Sequence, residues 1–174
     1  MNRKSESNGS TKSIRKIPWL LLTTGVATAA LVTLIIWPGT AATIAEDADI
    51  VVYKTATCGC CSKWIAHLRD SGLGVSVVNV PNTQPVQSRV GVPRQLGSCH
   101  TAVIGDYWVE GHVPADLIHR LMAEKPADIR GIAVPGMPAG SPGMEGSNPV
   151  RYDVLAYGSD GNTTVYATRQ WLTH

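Results

Sequence analysis

Three cysteines within four positions, Cys58, Cys60 and Cys61, stand between an apolar run and an amphipathic segment. This junction constrains the fold more than any other feature. Ile50-Val51-Val52-Tyr53 is short, apolar and rich in β-branched residues, the pattern of a buried strand. Beyond the cysteines, Trp64, Ile65 and Leu68 fall on one helical face, and Gly72 is placed to stop that helix. Val75 to Val80 makes a second strand. Strand, loop, helix and strand form a βαβ unit, whose two strands run parallel.

The remaining elements follow from turn and helix signals. Pro85 to Val90 predicts a short helix ended by Gly91. Thr101–Ile104 and Tyr107–Glu110 flank Gly105-Asp106, the pattern of a β-hairpin. Pro114 to Glu124 predicts a helix with Leu117, Ile118 and Leu121 inward and Pro126 beyond its end. Residues 134–144 carry too much Pro and Gly for regular structure. Tyr152–Tyr157 and Thr163–Thr168 predict a second hairpin around Ser-Asp-Gly-Asn. The order βαβ, hairpin, helix predicts an α/β, thioredoxin-like domain over 49–174 with a C-terminal β-hairpin extension.

The first forty residues differ in kind. Ile17 to Trp37 is 21 residues without a charge, and about 20 apolar residues cross a bilayer's hydrocarbon layer. Arg3, Lys4, Lys12, Arg15 and Lys16 precede it, which keeps a tail of residues 1–16 cytoplasmic and sends the rest outward. Trp19 and Trp37 stand at its two ends, where indole rings favour the interface. The run is longer than the ~7–15 residues of a signal-peptide core, so an uncleaved N-terminal hydrophobic helix over 17–37 and a linker over 38–48 are expected. Small residues at Gly39-Thr40-Ala41 and Thr43-Ile44-Ala45 keep cleavage as the alternative. Either way the domain is expected in the periplasm, and inner-membrane anchoring comes with the uncleaved helix.

Residues 46–174 hold ten Lys/Arg against twelve Asp/Glu, a net of −2, while the leader's five Lys/Arg and one Glu give +4. The basic character of the chain thus belongs to the leader, and a nucleic-acid-binding domain is not expected.

Four cysteines in an exported domain ordinarily suggest two disulfides. Here Cys58, Cys60 and Cys61 crowd together and Cys99 is distant in sequence, a distribution suited to chemistry rather than stapling. Unpaired N–H groups at a helix start favour thiolate. The Cys58-x-x-Cys61 spacing serves disulfide exchange or metal chelation equally well. Cys60 favours metal, because a third thiol competes in exchange but adds a ligand or bridge to a metal site.

Cys99-His100 precedes the strand of the first hairpin, a point that packs against the helix-start cysteines in a thioredoxin-like domain and usually carries a cis-proline. A thiol and an imidazole there complete a soft-ligand pocket, with a satisfied core histidine as the alternative. Met137 and Met144 repeat a Pro-Gly-Met unit; thioethers select Cu(I) over harder ions, or a methionine simply closes the core under the loop. His112, in Glu-Gly-His-Val-Pro, is a ligand or a turn residue. His67 and His119 sit on helices beside charged neighbours and are expected to be solvated.

The segments Y-K-T-A-T-C-G-C-C-S-K-W, V-P-R-Q-L-G-S-C-H-T-A-V-I, E-G-H-V-P-A-D and V-P-G-M-P-A-G-S-P-G-M-E occur in this order, before a Tyr-Asp-Val-Leu strand. Together they resemble the CopG-like periplasmic copper-resistance proteins, over roughly residues 49–168. The resemblance implies a thioredoxin-like fold, copper binding and a role in copper tolerance. It places Cys58, Cys60, Cys61, Cys99 and His100 in a metal site, with Met137, Met144 and His112 as candidates. The expected cargo is Cu(I), with several ions bridged by sulfur, and zinc as the alternative. The expected partners are copper ions, a periplasmic efflux or oxidase protein, and the membrane. A thiol–disulfide oxidoreductase using Cys58 and Cys61 is the competing function.

Overall fold

The computed structural model describes residues 48–170. The basic tail, the apolar run and all but the last linker residue lie outside the described residues. Among those described, no helix is long and apolar enough to cross a membrane.

The described residues form one mixed sheet of seven strands with helices packed on it. In chain order the elements are β1 (Ile50–Lys54), α1 (Gly59–Asp70), β2 (Val75–Asn79), α2 (Gln84–Val90), a single 3₁₀ turn (Arg94–Leu96), β3 (His100–Ile104), β4 (Tyr107–Glu110), α3 (Ala115–Glu124), β5 (Ile129–Ala133), β6 (Tyr152–Gly158) and β7 (Thr163–Arg169). The strand order is β2-β1-β3-β4-β5-β6-β7. β1 pairs parallel with β2 and antiparallel with β3, and β4 pairs antiparallel with β3 and parallel with β5.

Each helix forms where its sequence allows. On α1, Cys61, Trp64, Ile65 and Leu68 are buried, the spacing of one apolar stripe. It ends at Ser71, followed by Gly72 at φ 86°, a conformation open to glycine without a Cβ penalty. Pro114 caps α3 in extended conformation, and Lys125 closes it in the left-handed region before Pro126. The inner faces of α1 and α3 meet Ile50, Val52, Ala102, Val109, Ile132 and Val154 in the main core. On the opposite face, Val92 and Leu96 pack with Trp108 and Ala133 in a smaller core.

β5 departs from the sequence expectation, which placed no strand between α3 and the Pro/Gly-rich loop. Its five residues carry an arginine and a glycine, and neither favours a strand. Gly131 is required by packing: a Cβ there would sit 2.1 Å from the Trp108 ring. β5 also changes the standing of the last hairpin. β6 pairs antiparallel with β5 and with β7, so the hairpin extends the main sheet rather than standing apart from it. α3 packs on it through an Arg169–Asp116 ion pair and through Arg120, 4.4 Å above the Tyr166 ring.

Of the two histidines expected in solvent, His119 is exposed and His67 is half-buried, and both join elements. Half-buried His67 accepts a hydrogen bond from Ala115 N at 3.1 Å, satisfying one of the free amides at the start of α3. Exposed His119 donates to Ser71 O at 3.0 Å.

Candidate metal centre

The cysteines gather where β1 gives way to α1. Cys58 is the N-cap of α1, and its sulfur accepts from Cys61 N at 3.4 Å. Cys58 N donates to Thr55 O at 3.2 Å, which turns the chain out of β1. Cys58 and Cys61 form a disulfide, while Cys60 and Cys99 are free. The sequence argued against disulfides from the crowding of the cysteines; the N-cap and the third residue of α1 are nonetheless one turn apart and able to pair. Cys60 Sγ lies 3.6 Å from Cys58 Sγ, and Cys99 Sγ lies 3.5 Å from Cys61 Sγ.

Strand pairing delivers the second half of the site. Cys99 immediately precedes β3, and His112 follows β4 by one glycine. His100 Nδ1 and His112 Nε2 approach Cys99 Sγ at 3.5 and 3.8 Å. Two sets of atoms each lie within 4.8 Å of one another: the sulfurs of Cys58, Cys60, Cys61 and Cys99, and the ligand atoms of Cys99, His100 and His112. Cys99 belongs to both.

The far side of each imidazole is tied to backbone. His100 Nε2–H donates to Gly111 O at 2.9 Å, and His112 Nδ1–H donates to Pro142 O at 2.6 Å. A ring nitrogen that donates to a carbonyl leaves the other as a bare acceptor in the neutral ring, here the nitrogen beside Cys99. Burial, with the nearby His112 and Lys54, pushes the His100 pKa down to about 3; burial also lowers that of His112. The two rings meet edge to face at 5.2 Å, and Trp64 lies 4.2 Å from His100. Trp64 is itself fixed by donating to Val113 O at 2.8 Å. Burial also pushes the Cys99 thiol up to about 11, so a metal bound there must displace its proton.

The Pro/Gly-rich loop is the lid of this corner. Gly143, at φ 83°, approaches α1 so closely that a Cβ would sit 2.8 Å from both Cys60 O and Trp64 N. That contact brings Pro142 O to His112. Met144 is half-buried, and its backbone closes the turn through Gly140 N to Met144 O at 2.9 Å. Met137 lies at the outer bend of the loop, 41% exposed and at φ 47°.

Two further residues escaped the sequence reading. Glu110 is fully buried on β4, and its Oε2 accepts from Ser98 N at 2.8 Å and from Gln87 Nε2 at 3.2 Å. Gln87 also donates to Ser98 O at 3.0 Å. The segment before Cys99 is thereby held on both its N–H and its C=O. Burial pushes the Glu110 pKa up to about 7 against the pull of those hydrogen bonds. Lys54, the last residue of β1, is buried as well. A charged residue ending or directly following a strand pattern was the available signal for both.

The family described as "Protein of unknown function, DUF411" matches residues 96–144, which span Cys99, His100, His112 and the loop to Met144. No curated protein sequence matches the chain. Two solved structures of a copper resistance protein CopG are similar to it. Form 2 is 46% identical with a TM-score of 0.65, the match covering 70% of this chain and 97% of that one. Form 1 is likewise 46% identical with a TM-score of 0.65, over 69% and 95%. The chain belongs to the CopG-like copper-resistance family. Membership in a CopG-like family, with four sulfurs and two imidazoles in one corner, fits copper binding.

Proposed function

We propose that this chain is a copper-resistance protein that binds Cu(I) on the periplasmic side of the inner membrane. Cys58, Cys60, Cys61 and Cys99 are its thiolate ligands and His100 and His112 its nitrogen ligands. The observation that carries the reading is the orientation of the two imidazoles. Each has its outer nitrogen bound to a backbone carbonyl and its inner nitrogen beside Cys99 Sγ. Carbonyl-tethered imidazoles of this kind are the usual outer support of a metal site.

Thiolates are soft donors that select Cu(I), and neutral imidazoles also suit copper. Six such donors exceed the needs of one two- or three-coordinate ion, and Cys99 is common to both donor sets. These facts favour more than one copper, with the Cys99 sulfur as a bridge. Reduction of the Cys58–Cys61 disulfide precedes loading; a dithiol donor supplies two electrons and two protons and leaves as its own disulfide. Met144, half-buried in the lid, is a candidate thioether ligand, and Met137 a candidate for ion entry. Periplasmic placement and anchoring rest on the uncharged run of residues 17–37 and the basic residues before it. The strand order β2-β1-β3-β4, with α1 between β1 and β2 and α3 after β4, supports a thioredoxin-like reading of the site-bearing half. Copper efflux or oxidase proteins of the periplasm are the partners this placement suggests.

The test is copper analysis of the full chain, purified in detergent under anaerobic reduction, loaded with Cu(I) and desalted. More than one copper per chain is expected, and zinc offered in parallel should be displaced by Cu(I). Retention of no copper would overturn the proposal.

The Cys58–Cys61 disulfide at a helix start supports a second reading, thiol–disulfide exchange. Attack by Cys99 on Cys61 would form Cys61–Cys99 and release Cys58 as thiolate. Burial raises the Cys99 pKa and keeps its thiol protonated at neutral pH, which slows that internal step. Insulin reduction above the level of a cysteine-free variant would establish the exchange activity, and its absence would remove it.

A further inference from the structure

Lys54 is a buried cation at the end of β1, 4% exposed and four residues before Cys58. Ile50, Val52 and Lys54 alternate onto the buried face of β1, and the first two of them pack against α1 in the main core. Lys54 stands directly opposite His100 in the β1–β3 ladder, and opposed residues of an antiparallel pair project from the same face. The ammonium is therefore on the imidazole side of the sheet, where its charge helps keep His100 neutral. Its Nζ donates to Thr55 O at 2.9 Å, the same carbonyl that accepts from Cys58 N.

What Lys54 lacks is a negative partner. Among the described residues the ion pairs are Arg120–Glu124 and Arg169–Asp116, both distinct from Lys54. A buried ammonium without an opposite charge is costly, and folded proteins pair such groups. Glu145 on the loop acts on His112, Lys63 and His67 and makes no ion pair with Lys54; the other groups of this corner able to become anionic are the four cysteines. Four thiolates carry four negative charges, and one to three monovalent ions leave the assembly with a net negative charge.

We infer that Lys54 is the resident counter-ion of an anionic metal–thiolate assembly formed by Cys58, Cys60, Cys61 and Cys99. The inference rests on the proposed copper function and names a residue of the site that binds no metal itself. It stabilises the charge that the thiolates retain after the metal has bound. The metal-free protein carries Lys54 as an uncompensated charge, and the loaded protein resolves it.

The two states therefore respond to Lys54 in opposite directions, a signature that a merely structural lysine lacks. The full chain in detergent, reduced and anaerobic, is titrated with Cu(I) against a chromophoric Cu(I) chelator, and the metal-free forms are melted in parallel. Lys54→Met should lower Cu(I) affinity about tenfold or more while the metal-free melting temperature stays level or rises. Lys54→Gln keeps a donor for Thr55 O without the charge; it should lose affinity similarly and serves if the methionine variant does not fold. Lys54→Arg should retain affinity within about threefold. Affinity unchanged in the neutral variants, with the wild type loading copper, overturns this inference alone. So does affinity lost together with metal-free stability. A wild type that takes up no Cu(I) overturns the copper function and this inference with it.

Discussion

The two faces of the β3–β4 pair carry buried polar groups put to different uses. On the face toward α1, His100 is tethered to Gly111 O and, with His112 from the loop after β4, turns a bare nitrogen to Cys99. On the face toward α2, Glu110 leaves its carboxyl beneath Ser98 and, with Gln87, grips the peptide that leads into Cys99. One face supplies ligand atoms and the other holds the segment between them in place. Cys99 is thus positioned from both sides, so a ligand change and a brace change should be separable by experiment.

The largest effect is expected on the ligand face. Cys99 is the one residue shared by the sulfur group and the imidazole group. Cys99→Ser should therefore cut the copper bound per chain by half or more, measured by elemental analysis after desalting. It should leave the fold intact, because Cys99 is only half-buried. Stoichiometry equal to wild type would mean that the two groups do not act together.

Next comes the lid. Gly143→Ala places a methyl 2.8 Å from Cys60 O and Trp64 N at a φ of 83°, so the loop must lift. The substitution should lower stability by about 2 kcal/mol and loosen His112 from Pro142 O. It should also weaken Cu(I) binding in a chelator competition. Unaltered affinity would show that His112 acts without the loop.

The brace face should respond in stability more than in chemistry. Glu110→Ala leaves the Ser98 N–H unsatisfied and costs about 2 kcal/mol in chemical denaturation. Glu110→Gln, which keeps an acceptor, should cost less. The titration of Glu110 adds a signature in pH. An acid whose folded-state pKa stands above its ordinary 4.5, at about 7, binds more protons in the fold than out of it. Its contribution is full below about pH 4.5, falls as pH rises to 7 and is flat beyond. The metal-free wild type should thus lose on the order of 3 kcal/mol across that window from this group, and Glu110→Gln should flatten the slope. Parallel slopes in the two proteins would place the titration elsewhere.

These residues also show what was legible in the sequence. Ile50–Tyr53, Trp64, Ile65 and Leu68, and the Gly105-Asp106 turn announce the βαβ unit and the hairpin, because period and turn chemistry are local signals. Cys99-His100 and the helix-start cysteines could be linked before any coordinates, through the thioredoxin-like expectation that packs the start of that strand against the helix start. β5 was hidden because Gly131 answers to Trp108, 23 positions earlier in the chain, and no local pattern reports such a contact. Glu110 reads as the polar end of a strand and Lys54 as the first residue beyond one, and their burial depends on α2 and on the cysteine corner. His112 could be named as a ligand or a turn residue, but choosing between those required the Pro142 carbonyl 30 positions away.

The smallest effect separates the two Pro-Gly-Met units. Met144 follows Gly143 directly and is half-buried against the lid's closing turn, whereas Met137 sits at an exposed outer bend in a left-handed backbone conformation. Met137→Leu keeps the apolar bulk and removes only the thioether, so Cu(I) affinity and stoichiometry at equilibrium should not change. Met144→Leu should lower the affinity by about threefold or less, the contribution of one weak thioether beside several thiolates. Stopped-flow loading sharpens the contrast. If Met137 hands copper inward, its leucine variant slows uptake while the equilibrium stays fixed; if uptake is unchanged too, the first Pro-Gly-Met unit serves only to shape the loop that carries the second.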